Sequence, residues 1–154
     1  MSAELNPGSK PTEILGHFIN GQRIADESRM QDVFNPATGK VARRVALAGK
    51  STVEEAIAAA EAAFPAWRNT PPLKRARIMF RFKELLEQNA ERVIALITEE
   101  HGKVLIDAEG EFSRGVEVVE YACGAPEFLK GEHSKNVGPN IDSWSEFQPL
   151  GVVA

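Results

Sequence analysis

The sequence holds one cysteine, three histidines and one tyrosine among 154 residues, and aromatics make up only 7% of it. A single cysteine rules out an internal disulfide framework and any zinc site built on several thiolates, which fits a reducing compartment. His17, His101 and His133 are scattered, with no second ligand at metal-binding spacing on a shared helix face, so a metal centre is not expected. No apolar run approaches about 18 residues, which leaves no membrane-spanning helix. The start of the chain lacks both an apolar leader core and an arginine-rich amphipathic pattern, and no Asn-x-Ser/Thr acceptor occurs. The cytoplasm is therefore the expected location. Phosphate-cradling motifs are missing too, because neither G-x-G-x-x-G nor G-x-x-x-x-G-K-[ST] is present.

What is present describes a folded domain. At 43% hydrophobic and 26% charged the composition is that of a globular chain, and about 150 residues suffice for a sizeable core. The net charge of −4 argues against a general nucleic-acid or membrane-surface binder.

Residues 1–13, rich in Pro, Gly and Asn, predict a flexible tail. His17-Phe18-Ile19 and Gln22-Arg23-Ile24 flank Asn20-Gly21, the signature of a tight hairpin. A third strand is expected around Val33-Phe34 and a further extended segment over 41–47, separated by the turn cluster Asn35 to Gly39. Helical periodicity begins at Ser51, with Ser51 and Glu54 as a capping box and Pro65 ending or kinking the helix. A second helix starts near Leu73. Asn89 is expected to cap a third, which stops at Gly102. A long fourth helix is expected over 104–130, bent by Pro126, with Leu105, Ala108, Phe112, Val116, Val119 and Cys123 as its buried stripe. Residues 133–140 read as loop, and 141–148 and 150–154 as strands. The run Pro149 to Ala154 enters an apolar strand and stops, as a cut chain would.

Three features invite a chemical reading. Cys123 lies on the apolar stripe without a neighbour that would lower its pKa, which suggests a packed thiol. Lys74, Arg75, Arg77, Arg81 and Lys83 form an acid-free basic stretch, either a solvated helix face or a surface for an acidic partner. Arg114 points away from the Phe112 stripe, toward Gly110, Val118, Tyr121 and Ala125. Glu111 and Glu117 each stand three residues away, so a surface ion pair competes with a ligand-binding role.

Six segments in order resemble one family. Phe18-Ile19-Asn20-Gly21, Phe34-Asn35-Pro36-Ala37-Thr38-Gly39-Lys40, Ala63-Phe64-Pro65-Ala66-Trp67, Arg75-Ala76-Arg77-Ile78, Thr98-Glu99-Glu100-His101-Gly102-Lys103 and Pro149-Leu150-Gly151-Val152-Val153 resemble the opening of an aldehyde dehydrogenase. The stretch from Ala108 to Glu117, with Val119 to Ala122 and Gly124-Ala125-Pro126, is similar to the CoA-acylating methylmalonate-semialdehyde (malonate-semialdehyde) branch.

The resemblance implies an α/β fold of the aldehyde dehydrogenase type, truncated. Residues 14–136 would form the N-terminal part of the cofactor-binding domain, and 137–154 the start of an oligomerisation β arm. It implies an NAD-dependent oxidoreductase that turns methylmalonate or malonate semialdehyde into propionyl-CoA or acetyl-CoA, with coenzyme A as co-substrate. The branch usually serves valine and inositol breakdown. The catalytic cysteine and the NAD-holding parts would lie beyond Ala154, so the chain by itself would be inactive and bind neither NAD nor coenzyme A. The complete enzyme would be a homo-oligomer, dimer or tetramer, with no nucleic-acid or membrane partner. Arg114 would bind the substrate carboxylate. The rival reading is a non-catalytic helical interaction module that uses the basic face Lys74–Lys83.

Overall fold

A computed structural model describes residues 13–24 and 28–154. The tail expected over 1–13 lies outside the described residues except for Glu13, which opens the first strand. Three short strands come first: β1 (Glu13–Leu15), β2 (His17–Ile19) and β3 (Gln22–Ile24). The β2–β3 hairpin forms as the sequence predicts, because Asn20 (φ 49°) and Gly21 (φ 76°) supply the two left-handed residues of a primed turn.

Strands β4 (Met30–Asn35) and β5 (Lys40–Ala46) pair antiparallel, with a register shift between Val33 and Phe34. β1 joins β5 in parallel, giving the order β1-β5-β4. The turn between β4 and β5 is held by Asn35, whose carbonyl accepts from the Gly39 amide at 2.8 Å and whose Oδ1 accepts from the Ala37 amide at 2.9 Å.

Four helices and a short helical turn follow: α1 (Lys50–Asn69), α2 (Pro72–Gln88), α3 (Ala90–His101), α4 (Leu105–Cys123) and α5 (Ala125–Phe128). Helix α1 departs from the sequence expectation at its start, and Pro65 does not end it. It begins at Lys50 with Gly49 as its N-cap, so Ser51 falls inside the first turn and makes no capping bond. Glu54 instead pairs with Lys50 at 3.6 Å. At the other end the helix continues through Pro65 to Asn69, where Thr70 donates its hydroxyl to the Ala66 carbonyl at 2.9 Å. Pro65 and Glu61 are exposed, so water can solvate the carbonyl that Pro65 leaves without a donor.

Asn89 also acts in the direction opposite to that expected. Its Nδ2 donates back to the Leu85 carbonyl at 2.8 Å, closing α2, and it makes no cap bond to α3. Gly102 does end α3 in the left-handed conformation, φ 83°, with its amide on the Thr98 carbonyl. The long helix expected over 104–130 divides at Gly124, because Pro126 has no amide to offer the Ala122 carbonyl.

The last elements are a ribbon, β6 (His133–Gly138) and β7 (Ile141–Trp144). The segment read as a loop is thus largely a strand. Asn136 (φ 54°) and Asn140 (φ 62°) take left-handed conformations, and the Asp142 carboxylate accepts from the Asn136 amide at 2.9 Å. β7 stops at Trp144 rather than Gln148, and among the described residues 150–154 pairs with no strand, leaving Leu150 95% exposed.

The core is small. Among the described residues Ile19, Ala46, Ala76, Ala108 and Cys123 are the buried apolar side chains. Ala76 of α2 and Ala108 of α4, the latter with no exposed surface, let these two helices approach closely. α3 also packs on α4, and on β4. The total accessible surface is 12531 Å². A self-contained globule of this mass exposes about 7,700 Å². The chain therefore exposes more surface than a closed globule of its mass would.

Candidate functional site

Helix α4 buries Ala108 fully, Cys123 nearly so, and Phe112, Val116 and Val119 in part, as the stripe predicts. Leu105 is the exception and is exposed. The opposite face of α4 is open. Arg114 stands there 80% exposed, with Gly110 one turn before it and Val118 and Tyr121 after it. A Cβ built on Gly110 meets nothing within 4 Å, so this stretch of the face has room beside the arginine. Tyr121 stacks on Phe128 of α5 with ring centroids 4.5 Å apart and planes 18° from parallel, a geometry that aromatic pairs favour.

Arg114 Nη1 donates to Glu117 Oε2 at 2.6 Å. Glu111, the other glutamate three residues away, is engaged by Lys103, whose Nζ donates to Oε2. That hydrogen bond and the lysine's charge hold the Glu111 carboxyl below its ordinary range. The competing ion-pair reading of Arg114 therefore applies to one of its two flanking glutamates. The Nε–Nη2 edge of the guanidinium has no partner among the described residues.

The other singled-out residues do not converge on this face. Cys123 is buried and its Sγ donates to the Val119 carbonyl at 3.4 Å, the environment of a packed thiol. The three histidines sit on β2, at the end of α3 and on β6. Among the described residues no group of three His, Cys, Asp or Glu side chains could hold a metal ion.

The basic stretch is divided by its neighbours. Arg81 pairs with Glu84, Lys83 pairs with Glu87 at 2.7 Å, and the Arg75 guanidinium lies 5.9 Å from the Trp67 ring centroid. Glu84 and Glu87, just after the stretch, and Trp67 of α1 supply these partners, a relation that counting within the stretch does not reveal.

Among the concavities beside the helices, two differ in polarity. A groove of about 470 Å³ runs between the hairpin, α1 and the C-terminal segment, lined by Phe18, Val53, Ile57, Val152 and Val153 among others. His17 and Thr52 are the polar side chains in that lining, which does not fit the charged pyrophosphate of a dinucleotide. A more polar hollow of about 610 Å³ lies beside Arg43, whose guanidinium is already bound to Glu13, Glu99 and Glu100. Among the described residues no helix is long and apolar enough to cross a membrane.

Comparison with known proteins gives this architecture its context. Residues 24–154 match the aldehyde dehydrogenase family. Over 91% of its length the chain is 64% identical to a malonate-semialdehyde dehydrogenase of Pseudomonas aeruginosa, covering 28% of that protein. The methylmalonate-semialdehyde dehydrogenase of Oceanimonas doudoroffii superposes with a TM-score of 0.86 at 66% identity, over 91% of this chain and 28% of that one. A Sinorhizobium meliloti protein described as a methylmalonate-semialdehyde dehydrogenase, solved in complex with NAD, gives 0.87 at 42% identity over 93% of this chain and 29% of its own. The chain thus spans under a third of the length of these relatives, and with matching sequence and fold over that span it belongs to the aldehyde dehydrogenase family.

Proposed function

We propose that the chain is the N-terminal portion of an NAD-dependent, CoA-acylating dehydrogenase of malonate or methylmalonate semialdehyde, inactive by itself. The observation that carries the reading is Arg114: an exposed guanidinium with one unpaired edge, on a helix face with free space at Gly110. A semialdehyde of this class carries a carboxylate beside its aldehyde. A guanidinium binds a carboxylate through two parallel hydrogen bonds, which both anchors and orients it. The names of the similar proteins support the substrate class, and the NAD complex of one of them supports the oxidant.

In the complete enzyme a cysteine thiolate would attack the aldehyde, bound NAD would accept the hydride, and coenzyme A would take the acyl group, the substrate carboxylate leaving as CO2, to give propionyl-CoA or acetyl-CoA. Those groups belong to other parts of the enzyme. This chain contributes the substrate anchor and the β6–β7 ribbon, whose strands are exposed along almost their whole length, for association into a homo-oligomer. The enzyme works in the cytoplasm.

The test is Arg114→Ala in the complete enzyme. Loss of the carboxylate anchor should lower kcat/KM for malonate semialdehyde by on the order of 2–3 kcal/mol. Activity on propanal, which has no carboxylate, should barely change. Equal losses on both substrates would remove Arg114 from the carboxylate role.

A further inference from the structure

Lys103 is not part of α4. It follows Gly102, whose left-handed conformation (φ 83°) reverses the chain between α3 and α4. The turn is braced from outside: a Cβ at position 102 would lie 2.8 Å from Cγ of Pro36, at the tip of the β4–β5 connection. Held this way, Lys103 keeps its side chain only 21% exposed and reaches Glu111, eight residues further on.

Its choice of partner matters for Arg114. Glu111 and Glu117 are both three residues from Arg114, a separation at which opposite charges on a helix pair. Glu117 uses Nη1 alone. A carboxylate bound through two parallel bonds needs the remaining Nε–Nη2 edge, and a free Glu111 would compete for that edge. With Glu111 bonded to Lys103, the edge has no intramolecular claimant among the described residues.

We propose that Lys103 is a specificity-determining positioning residue, which draws Glu111 aside and so keeps one edge of the Arg114 guanidinium open for the carboxylate of a small carboxylated aldehyde. The inference rests on the reading of Arg114 given above. Glu117 has the complementary part, steadying the guanidinium from its other edge.

The experiment compares KM and kcat for malonate semialdehyde and propanal in the complete enzyme. Replacing Lys103 by glutamine, or by methionine, which retains the packing of the stem without the charge, frees Glu111. Either change should raise KM for malonate semialdehyde by roughly three- to fivefold, the scale of an exposed ion pair. It should leave KM for propanal unchanged. Adding Glu111→Gln to the same chain should restore the malonate-semialdehyde KM, and Lys103→Arg should retain it. An unchanged KM in both Lys103 variants would overturn the proposal, as would equal losses on the two aldehydes or a loss that Glu111→Gln does not relieve. Arg114→Ala run alongside separates the two readings: if it spares propanal while the Lys103 variants change nothing, the anchor stands and the role of Lys103 falls.

Discussion

Arg43 Nη2 on β5 donates to Glu99 Oε2 on α3 at 2.7 Å, tying the sheet to the helix that packs on it. The same guanidinium reaches Glu100 at 3.4 Å and, through Nε, Glu13 of β1 at 3.3 Å. Its side chain is 13% exposed, whereas the three carboxylates are considerably more open to water. Arg43→Ala should therefore cost on the order of 1 kcal/mol, a value kept low by solvent screening. Arg43→Lys should recover only part of it, because one ammonium cannot span three carboxylates on different elements. The denaturation midpoint in urea, at unchanged slope, measures both.

The glycines of α3 and α4 should respond in opposite senses to alanine. At Gly102 a side chain meets Pro36 and the positive φ is itself worth about 1–2 kcal/mol against an L residue, so Gly102→Ala should destabilise the chain by at least that much. At Gly110 a Cβ meets nothing, and Gly110→Ala in the helix interior should stabilise by about 0.5–1 kcal/mol. Equal effects from the two substitutions would refute this account of the α3–α4 turn.

Glu111 carries a pH dependence of definite sign. The hydrogen bond from Lys103, then its charge, lower the folded-state pKa of Glu111 below its ordinary value of 4.5. A lowered carboxylate pKa contributes stability that is complete above the unfolded value and is lost as pH falls through the folded one. The stability difference between the unsubstituted chain and Glu111→Gln should thus be full at about pH 7 and fade towards about pH 3. A difference constant across that range would mean the pair contributes nothing.

The excess surface has a consequence in solution. Phe18, Ile78, Phe80, Phe82, Val118, Trp144 and Val153 are all exposed, and the ribbon and the 150–154 segment leave backbone edges unpaired. The 154-residue chain should bind a hydrophobic dye and self-associate at micromolar concentration. A monodisperse monomer without dye binding would contradict it.

The sequence alone determined those features whose physics is local. Asn20-Gly21 fixes the hairpin and Gly102 ends α3, because each needs a positive φ that few other residues adopt without strain. The α4 stripe is legible because every third or fourth residue shares a helix face. The family is legible because its motifs recur in order.

Tertiary structure decided which of two available partners each polar group takes. Asn89 can serve either helix it separates, and it closes the one behind it. Pro65 can end a helix, but an exposed carbonyl that water reaches does not force it to. The polar run His133 to Gly138 becomes strand only because β7 supplies its hydrogen bonds. At the candidate site, spacing allows Arg114 either glutamate. The structure assigns Glu111 to Lys103, and does so through a turn braced by Pro36, some 65 residues earlier in the chain. No local pattern encodes that choice, because it depends on where a distant turn packs and on which cation that packing sets beside the shared carboxylate.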